Sequence, residues 1–360
     1  MESGADAFQF IIHHSAFIIT IVSRLAIIGA GSWGTALGIV AGRAGHQARL
    51  WSRNHDVIES INRLRVNSVY LPAHEIPRGV EATSGLSEAI SDAEIILLAS
   101  PSHVTRELVE RMSKSLQPEM IFVSATKGIE IETGNRISEV VHDVLKEHFE
   151  PRFVCLSGPS FAQEVAAGHP TAVVAASENL NDAQLIQAAL SFQNLRIYTN
   201  TDVVGAEIGG SVKNVMAVAA GMVAGLGFGT NSVAALITRG LAEIARFALA
   251  QGARMETLMG LAGMGDLVLT CTGGLSRNRF LGQELGRGRA LDEIVSGMRE
   301  VAEGVKTTKA VQSIAEKLKV EMPITKEVHA VLYEGKRAAD AASELMQRPL
   351  RGENNGGYEL

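Results

Sequence analysis

Residues 25–44 read L-A-I-I-G-A-G-S-W-G-T-A-L-G-I-V-A-G-R-A, and this stretch decides the fold. Its first four residues are an apolar run long enough for a buried strand, and residues 35–44 predict a helix. Between them, Gly29, Gly31 and Gly34 stand in G-x-G-x-x-G spacing. The first glycine permits a tight turn, the second lets a pyrophosphate approach the backbone, and the third lets the helix pack closely on the strand. The N–H groups at the helix start also favour phosphate. The stretch therefore predicts a dinucleotide site; the alternative is a glycine-rich turn that binds nothing.

The composition is that of an ordinary globular protein. The chain has 360 residues, of which 46% are hydrophobic and 20% charged, and its net charge is −6. This length predicts two domains, and the lack of a basic excess argues against a nucleic-acid partner. The two cysteines, Cys155 and Cys271, belong to no C-x-x-C motif. We therefore expect free thiols in a reducing compartment, and neither a disulfide framework nor a metal site.

The two ends of the chain differ from the rest. Residues 8–22 are largely apolar, but His13, His14 and Ser15 interrupt them and no basic segment precedes them. We interpret residues 1–23 as a leader of uncertain role, without stable membrane insertion. The C-terminal residues are rich in Gly and Asn, and we expect a flexible tail over residues 347–360.

The second predicted strand, residues 46–51, bears on the choice of cofactor. A site that prefers NAD carries an Asp or Glu near the end of this strand, where it binds the ribose 2′-hydroxyl. Here Ser52, Arg53 and Asn54 occupy that place. Because a guanidinium suits a 2′-phosphate, the sequence favours NADP(H), with NAD(H) as the alternative. The other interpretation of Arg53 is a solvated surface side chain.

Further apolar runs predict the remaining architecture. Strands are predicted over residues 93–99, 120–125, 152–156, 171–176 and 196–199, with helices between them. Beyond residue 202 the patterns are helical, over residues 207–224, 232–251, 277–285, 303–318 and 324–332. The sequence therefore predicts an α/β fold with an N-terminal Rossmann-like doubly wound sheet and a C-terminal all-α domain. We place the dinucleotide-binding domain at residues 24–205 and the all-α substrate and catalytic domain at residues 206–346.

Two lysines and one aspartate are candidates for chemistry. Lys127 follows the strand at 120–125, and ligands of open α/β sheets bind at the carboxyl ends of the strands. Lys213 lies in mid-helix among apolar residues, where burial favours the neutral amine and lowers its pKa. Asp266 lies in a Gly-flanked turn, from which it could orient that amine or bind substrate hydroxyls. The alternatives are a solvated Lys127, and a Lys213 that reaches the surface or forms a structural ion pair.

A possible phosphate site lies further along the chain. Ser276, Arg277 and Asn278 follow two glycines and open a predicted helix. Their hydroxyl, guanidinium and amide groups, with the N–H groups of the helix start, would form a small phosphate cradle. The alternative is an N-cap serine beside a surface arginine.

Six separated motifs occur in a characteristic order. They are G-A-G-S-W-G-T-A-L at 29–37, S-A-T-K-G-I at 124–129, L-S-G-P-S-F-A at 156–162, K-N at 213–214, G-D-L at 265–267 and S-R-N-R at 276–279. In these motifs, from about residue 24 to about residue 345, the chain resembles the bacterial NAD(P)-dependent glycerol-3-phosphate dehydrogenases. The resemblance implies interconversion of sn-glycerol 3-phosphate and dihydroxyacetone phosphate with NADP or NAD, and a product used in glycerophospholipid synthesis. It also implies a cytoplasmic enzyme that forms a homodimer.

The resemblance implies a role for each matching position. Lys213 would donate and accept the proton, and the implied catalytic set is Lys213, Asp266, Lys127, Asn214 and Thr270. The implied substrate contacts are Lys127, Gly158, Ser160, Lys213, Asp266, Ser276, Arg277 and Asn278. The implied cofactor contacts are Gly29, Gly31, Ser32, Trp33, Gly34, Arg53, Lys127, Ala162, Arg277, Val301 and Glu303.

Two other functions remain open from the sequence. A ketopantoate reductase-like enzyme, or another hydroxyacid dehydrogenase, would share the two-domain plan and a helical lysine but would not need a phosphate cradle. A non-catalytic dinucleotide sensor would keep the glycine turn but would not need Lys213 together with Asp266.

Overall fold

A computed structural model describes residues 23–298, 302–350 and 352–353. The leader expected over residues 1–23 lies outside this range apart from Ser23. Of the tail expected over residues 347–360, only residues 347–350 and 352–353 lie within it.

The N-terminal part of the chain forms one eight-stranded sheet. Its strands are β1 Arg24–Ile28, β2 Gln47–Trp51, β3 Val80–Thr83, β4 Ile95–Leu98, β5 Ile121–Ser124, β6 Arg152–Ser157, β7 Thr171–Ala176 and β8 Leu195–Asn200. Their spatial order is β3-β2-β1-β4-β5-β6-β7-β8. Strands β1 to β6 pair in parallel, β7 joins β6 antiparallel, and β8 runs parallel to β7. The predicted Rossmann-like doubly wound sheet is therefore confirmed.

Helices cover both faces of this sheet. They are α1 Ser32–Arg43, α2 His55–Glu59, α3 Leu86–Ile90, α4 Thr105–Met112, α5 Ile137–Leu145, α6 Ala162–Ala167 and α7 Leu180–Leu190. Along β1, alternate side chains point to opposite faces. Leu25 and Ile27 pack with α1, α6 and α7, whereas Ala26 and Ile28 pack with α3, α4 and α5. Because both faces are buried, the strand is a continuous apolar run, as parallel sheets require.

Strand β3 is not predicted by the sequence pattern. This strand has four residues, of which Val80 and Ala82 are the buried ones, and it lies at the edge of the sheet beside β2. A short edge strand that buries two side chains carries little hydrophobic periodicity, so the pattern does not predict it.

The described residues after β8 form helices and turns without strands. The helices are α8 Val203–Gly225, α9 Thr230–Leu249, α10 Met255–Met259, α11 Asp266–Thr272, α12 Arg277–Gly286, α13 Leu291–Ser296, α14 Glu303–Leu318, α15 Pro323–Tyr333 and α16 Ala338–Met346. Helix α8 begins four residues before the predicted bound, because the Asp202 carboxylate accepts a hydrogen bond from the Gly205 N–H at 2.8 Å. Such an N-cap satisfies an otherwise unpaired donor of the first turn.

Helix α8 is the centre of this helical part. Nineteen of its residues are buried, and side chains of α9, α11, α12, α14 and α15 form one core with it. Of the described helices, α8 alone is long and apolar enough to cross a membrane, and the protein buries 83% of its most apolar window. Its apolarity therefore serves the core of the helical part.

Candidate active site

A cleft with a volume of about 740 Å³ lies at the carboxyl ends of the central strands and is shared with the helical part. Most of the predicted site residues line it, namely Gly29, Gly31, Ser32, Trp33, Arg53, Lys127, Ser160, Ala162, Lys213, Asn214, Thr270, Ser276, Arg277, Asn278 and Glu303. Gly34, Gly158 and Asp266 do not line it but lie behind residues that do. Val301 lies outside the described residues.

The glycine turn forms one end of the cleft. Gly29 has a φ of +121°, and a Cβ atom there would lie 2.8 Å from the Ala99 carbonyl oxygen. A Cβ atom on Gly34 would lie 1.9 Å from the Gly29 oxygen. By contrast, a Cβ atom on Gly31 would meet no described atom within 4 Å. The fold therefore requires the first and third glycines, whereas the second leaves open space in the cleft beside the start of α1.

This end of the cleft fits a dinucleotide. Gly31 provides room for a pyrophosphate, and the first turn of α1, from Ser32 to Thr35, contains no acidic residue that would repel it. Trp33 Nε1 and Ser100 Oγ are buried without a hydrogen-bond partner among the described residues, and both residues line the cleft. Buried polar atoms of this kind are costly unless a ligand or water pairs with them.

At the other end of the cleft, two lysines share one carboxylate, that of Asp266. The Lys127 ammonium donates to Asp266 Oδ2 at 2.8 Å, and the Lys213 ammonium forms an ion pair with Asp266 Oδ1. Lys213 also donates to Thr270 Oγ1 at 2.9 Å. The side chains of Lys213 and Asp266 are 6% and 1% exposed, whereas that of Lys127 is 20% exposed. The interpretation of Lys213 as a side chain that reaches bulk water is therefore wrong.

Burial and neighbouring charges shift the pKa values of Lys213 and Asp266. Burial lowers the pKa of Lys213 to about 7; the Asp266 charge opposes this shift and the nearby Lys127 ammonium adds to it. Burial alone would raise the pKa of Asp266, but the charges of Lys127 and Lys213 outweigh it and lower the pKa below its usual value. The carboxylate thus stays ionised, while the Lys213 amine can gain or lose a proton near neutral pH.

Thr270 and Asn214 have different contacts. The Thr270 hydroxyl donates to the Asp266 carbonyl oxygen at 2.6 Å, so that its oxygen is oriented to accept from Lys213. Asn214 lies next to Lys213 in α8, but its Oδ1 accepts from Asn278 Nδ2 at 3.0 Å. Asn278 Oδ1 in turn accepts from the Gly304 N–H at 2.9 Å. Through its described hydrogen bonds, Asn214 therefore supports the predicted phosphate cradle, whereas Thr270 supports the lysine.

The predicted substrate contacts lie on two sides of the lysines. Ser276 Oγ caps α12 by accepting from the Arg279 N–H at 3.2 Å, which places Arg277 and Asn278 in the first turn of that helix beside the cleft. On the sheet side, the Gly158 carbonyl accepts from Lys127 at 3.3 Å and from Ser160 Oγ at 3.0 Å. Gly158 therefore positions two lining side chains without lining the cleft itself.

Some residues in and around the cleft are not predicted by the sequence pattern. Ser102, which follows β4 and does not line the cleft itself, donates to Oε2 of the lining residue Glu303 at 3.0 Å, and burial raises the pKa of Glu303. The two residues are 201 positions apart, and no local pattern connects them. Glu107 and Arg111 of α4 also line the cleft. Val104 and Leu108 line the cleft as well, and the four residues are spaced as on one face of a helix. This spacing is the sequence signal that could have indicated Glu107 and Arg111.

A glycine turn that fits a dinucleotide and a buried lysine with a pKa lowered to about 7, in one cleft, are typical of one class of protein, the nicotinamide-dependent oxidoreductases. Family models described as the N-terminus and the C-terminus of NAD-dependent glycerol-3-phosphate dehydrogenase match residues 24–183 and 202–343. The chain belongs to this family.

Individual relatives agree with the family match. The glycerol-3-phosphate dehydrogenase [NAD(P)+] of Koribacter versatilis is 54% identical over 330 residues, which cover 91% of this chain and 98% of the relative. That of Geobacter sulfurreducens is 48% identical over 330 residues, 92% of this chain and 98% of the relative. The crystal structure of the glycerol-3-phosphate dehydrogenase from Coxiella burnetii matches with a TM-score of 0.87 and 40% identity over 91% of this chain and 99% of that one.

The alternative family is similar in fold alone. A ketopantoate reductase structure from Ralstonia eutropha has a TM-score of 0.55 and 17% identity over 89% of this chain and 99% of that one. The expected class of NAD(P)-dependent oxidoreductase is confirmed by the closer relatives.

The glycine turn permits a matched pair of substitutions. Gly34→Ala should lower the free energy of unfolding by at least about 2 kcal/mol, because the new methyl group collides with backbone. Gly31→Ala should change it by less than about 0.5 kcal/mol but weaken NADPH binding about tenfold, because its methyl group occupies the space left for the pyrophosphate. Urea unfolding and calorimetric titration measure the two effects. Parental NADPH affinity in Gly31→Ala would contradict the assigned role of the turn.

Proposed function

We propose that the chain reduces dihydroxyacetone phosphate to sn-glycerol 3-phosphate reversibly. The observation that carries this proposal is the buried Lys213–Asp266–Lys127 group in the same cleft as the glycine turn. Gly31, Ser32 and Arg53 would hold the dinucleotide, which supplies the hydride in one direction and accepts it in the other. All other steps belong to side chains of the protein.

Lys213 is the proposed proton donor and acceptor. In the reducing direction its ammonium protonates the alkoxide that develops at C2 of the substrate, and in the oxidising direction its neutral amine takes the hydroxyl proton. Asp266 fixes the amine from behind, and Thr270 fixes it from the side. Lys127, which is tied to the same carboxylate but more exposed, would bind a substrate oxygen. Such fixed positions remove much of the entropic barrier to reaction.

Ser276, Arg277 and Asn278 are the proposed phosphate ligands. The first turn of α12 offers N–H groups and the positive end of the helix dipole, and Arg277 adds a guanidinium. Asn214 and Gly304 hold Asn278 in place by hydrogen bonds. A ketone substrate without a phosphate group would make no use of this cradle.

The wider setting of the enzyme follows the family resemblance. We propose a cytoplasmic homodimer whose product enters glycerophospholipid synthesis, with a dinucleotide-binding domain at residues 24–205 and a catalytic domain at residues 206–346. The two cysteines outside any C-x-x-C motif support a reducing compartment. The net charge of −6 argues against a nucleic-acid partner.

Lys213→Met tests the function and its central residue together. The parent enzyme should oxidise NADPH or NADH with dihydroxyacetone phosphate and not with ketopantoate. The variant should lose about 100- to 10,000-fold in kcat because proton transfer is removed, and its Kd for NADPH should stay within about twofold. Lys309→Met, at an exposed position of α14, is the matched control and should keep parental kcat. Normal turnover in Lys213→Met would reject the role.

The pH dependence follows from the state of the same amine. Oxidation of glycerol 3-phosphate needs the neutral amine, so its rate should rise with pH through a pKa of about 7 for Lys213. Reduction needs the ammonium, so its rate should fall over the same range. Lys127→Met removes a neighbouring positive charge, so the pKa of Lys213 rises and both midpoints should move to higher pH.

Titration of the substrate phosphate affects the parent and Lys127→Met equally. The difference between their pH midpoints therefore reports the change in the pKa of Lys213. The profile of kcat/KM against pH, measured in both directions, gives the midpoints of the free enzyme. Identical midpoints in the parent and in Lys127→Met would contradict the electrostatic coupling.

Arg277→Ala tests the cradle. The KM for dihydroxyacetone phosphate should rise about 10- to 100-fold, because a charge-assisted contact to phosphate is lost. The kcat/KM for unphosphorylated dihydroxyacetone, low in the parent, should change by less than about threefold. Steady-state kinetics with the two ketones measure both effects. An equal loss with both would assign Arg277 to another part of the reaction.

A further inference from the structure

One end of the cleft, beyond the glycine turn, contains arginines from two different elements. Arg53 follows β2, and Arg111 lies in the last turn of α4; both line the cleft. In the sheet, β2 and β4 are the two neighbours of β1, which carries the glycine turn. The loop after β2 and helix α4 therefore both border the dinucleotide end of the cleft.

The guanidinium of Arg111 lies over a fixed aromatic ring. Its Cζ is 5.8 Å from the centroid of the Trp51 ring, a cation–π distance. Trp51 is buried, and its Nε1 donates to the Ser84 carbonyl at 3.0 Å, so the ring cannot rotate freely. The ring thus places the Arg111 guanidinium at the rim of the cleft.

Arg111 forms only a weak ion pair with Glu107, its partner within α4. Arg111 Nη1 lies 3.4 Å from the Glu107 carboxylate one turn away, and the two side chains are 48% and 66% exposed. An exposed pair of this length contributes little, so an incoming anion of higher charge can replace the carboxylate. The loop after β2 offers a guanidinium at Arg53 and, over residues 52–54, no carboxylate.

We propose that Arg111 acts with Arg53 as a clamp on the 2′-phosphate of the adenosine half of NADP(H), and that Glu107 competes with that phosphate for Arg111. Two guanidiniums from separate elements can each give a charge-assisted, directional contact to the same phosphate group. The inference rests on the proposed use of NADP(H) in this cleft, and it makes α4 a determinant of cofactor specificity.

The other role that this position allows is contact with the adenine ring. A planar guanidinium can lie on a base as well as bind a phosphate. Adenine contact would affect ligands with and without the 2′-phosphate equally, whereas a phosphate contact affects only those that carry it. Fragments of the cofactor separate the two roles without any turnover.

The test is calorimetric titration with adenosine 2′,5′-bisphosphate and with 5′-AMP. Arg111→Ala should weaken the bisphosphate roughly five- to tenfold and 5′-AMP by less than about twofold, and the loss should shrink at high salt. Glu107→Gln should tighten the bisphosphate roughly twofold, because it releases Arg111. Lys114→Ala, an exposed lysine just beyond α4 that does not line the cleft, should change neither affinity.

The outcomes are separable from those of the catalytic proposal. Equal losses for both fragments in Arg111→Ala, or parental affinity for both, would overturn the clamp while leaving turnover with dihydroxyacetone phosphate as a separate question. A Glu107→Gln variant that binds the bisphosphate more weakly would overturn the competition between carboxylate and phosphate. If the parent did not reduce dihydroxyacetone phosphate, but Arg111→Ala still weakened the bisphosphate more than 5′-AMP, the proposed reaction would be contradicted and the clamp retained.

Discussion

One carboxylate, that of Asp266, holds the two ammonium groups of the site together. Lys127 follows β5, Lys213 comes from α8, and Asp266 opens α11, so this single group ties the sheet to two helices. A buried ion pair gives little net stability, but removing one partner leaves an uncompensated charge that costs about 3–5 kcal/mol. The sheet and the helical part must therefore pack together correctly for both lysines to contact this carboxylate.

The surrounding fold makes this contact possible in two ways: the sheet supplies an open edge for loops, and the helical part supplies a buried helix that carries Lys213. Parallel strands buried on both faces leave their carboxyl ends as an open edge, where loops can carry Lys127 and the glycine turn. Helix α8, buried along most of its length, can carry a charged side chain only where polar partners meet it. The proposed phosphate cradle at the start of α12 is linked to α8 by the hydrogen bond between Asn278 and Asn214. Two adjacent residues of one helix thus support two different parts of the site.

Much of the architecture could be predicted because it is local. The glycine spacing, the apolar runs of β1, β4 and β5 and the long apolar helix each leave a periodic signal, and Lys213 stands out as a charge in an apolar segment. Strand β3 could not be predicted, because a short edge strand has too few buried positions. The contacts between Ser102 and Glu303 and between Lys127 and Asp266 could not be predicted either, since packing of distant segments decides them. The resemblance implies that Asn214 belongs to the catalytic set, whereas its described side-chain hydrogen bond is to Asn278, a contact that no local sequence pattern shows.

The burial of α8 has a consequence for how the chain is made. The helices that cover it, α9, α11, α12, α14 and α15, all follow it in the sequence, so the ribosome releases this apolar helix before these partners. Domains generally fold as units, and exposed apolar segments in incomplete chains aggregate. A nascent chain halted soon after residue 225 would present a segment with the length and hydropathy of a membrane span. The apolar surface of α8 therefore stays uncovered until the helices after residue 225 have been synthesised and packed onto it.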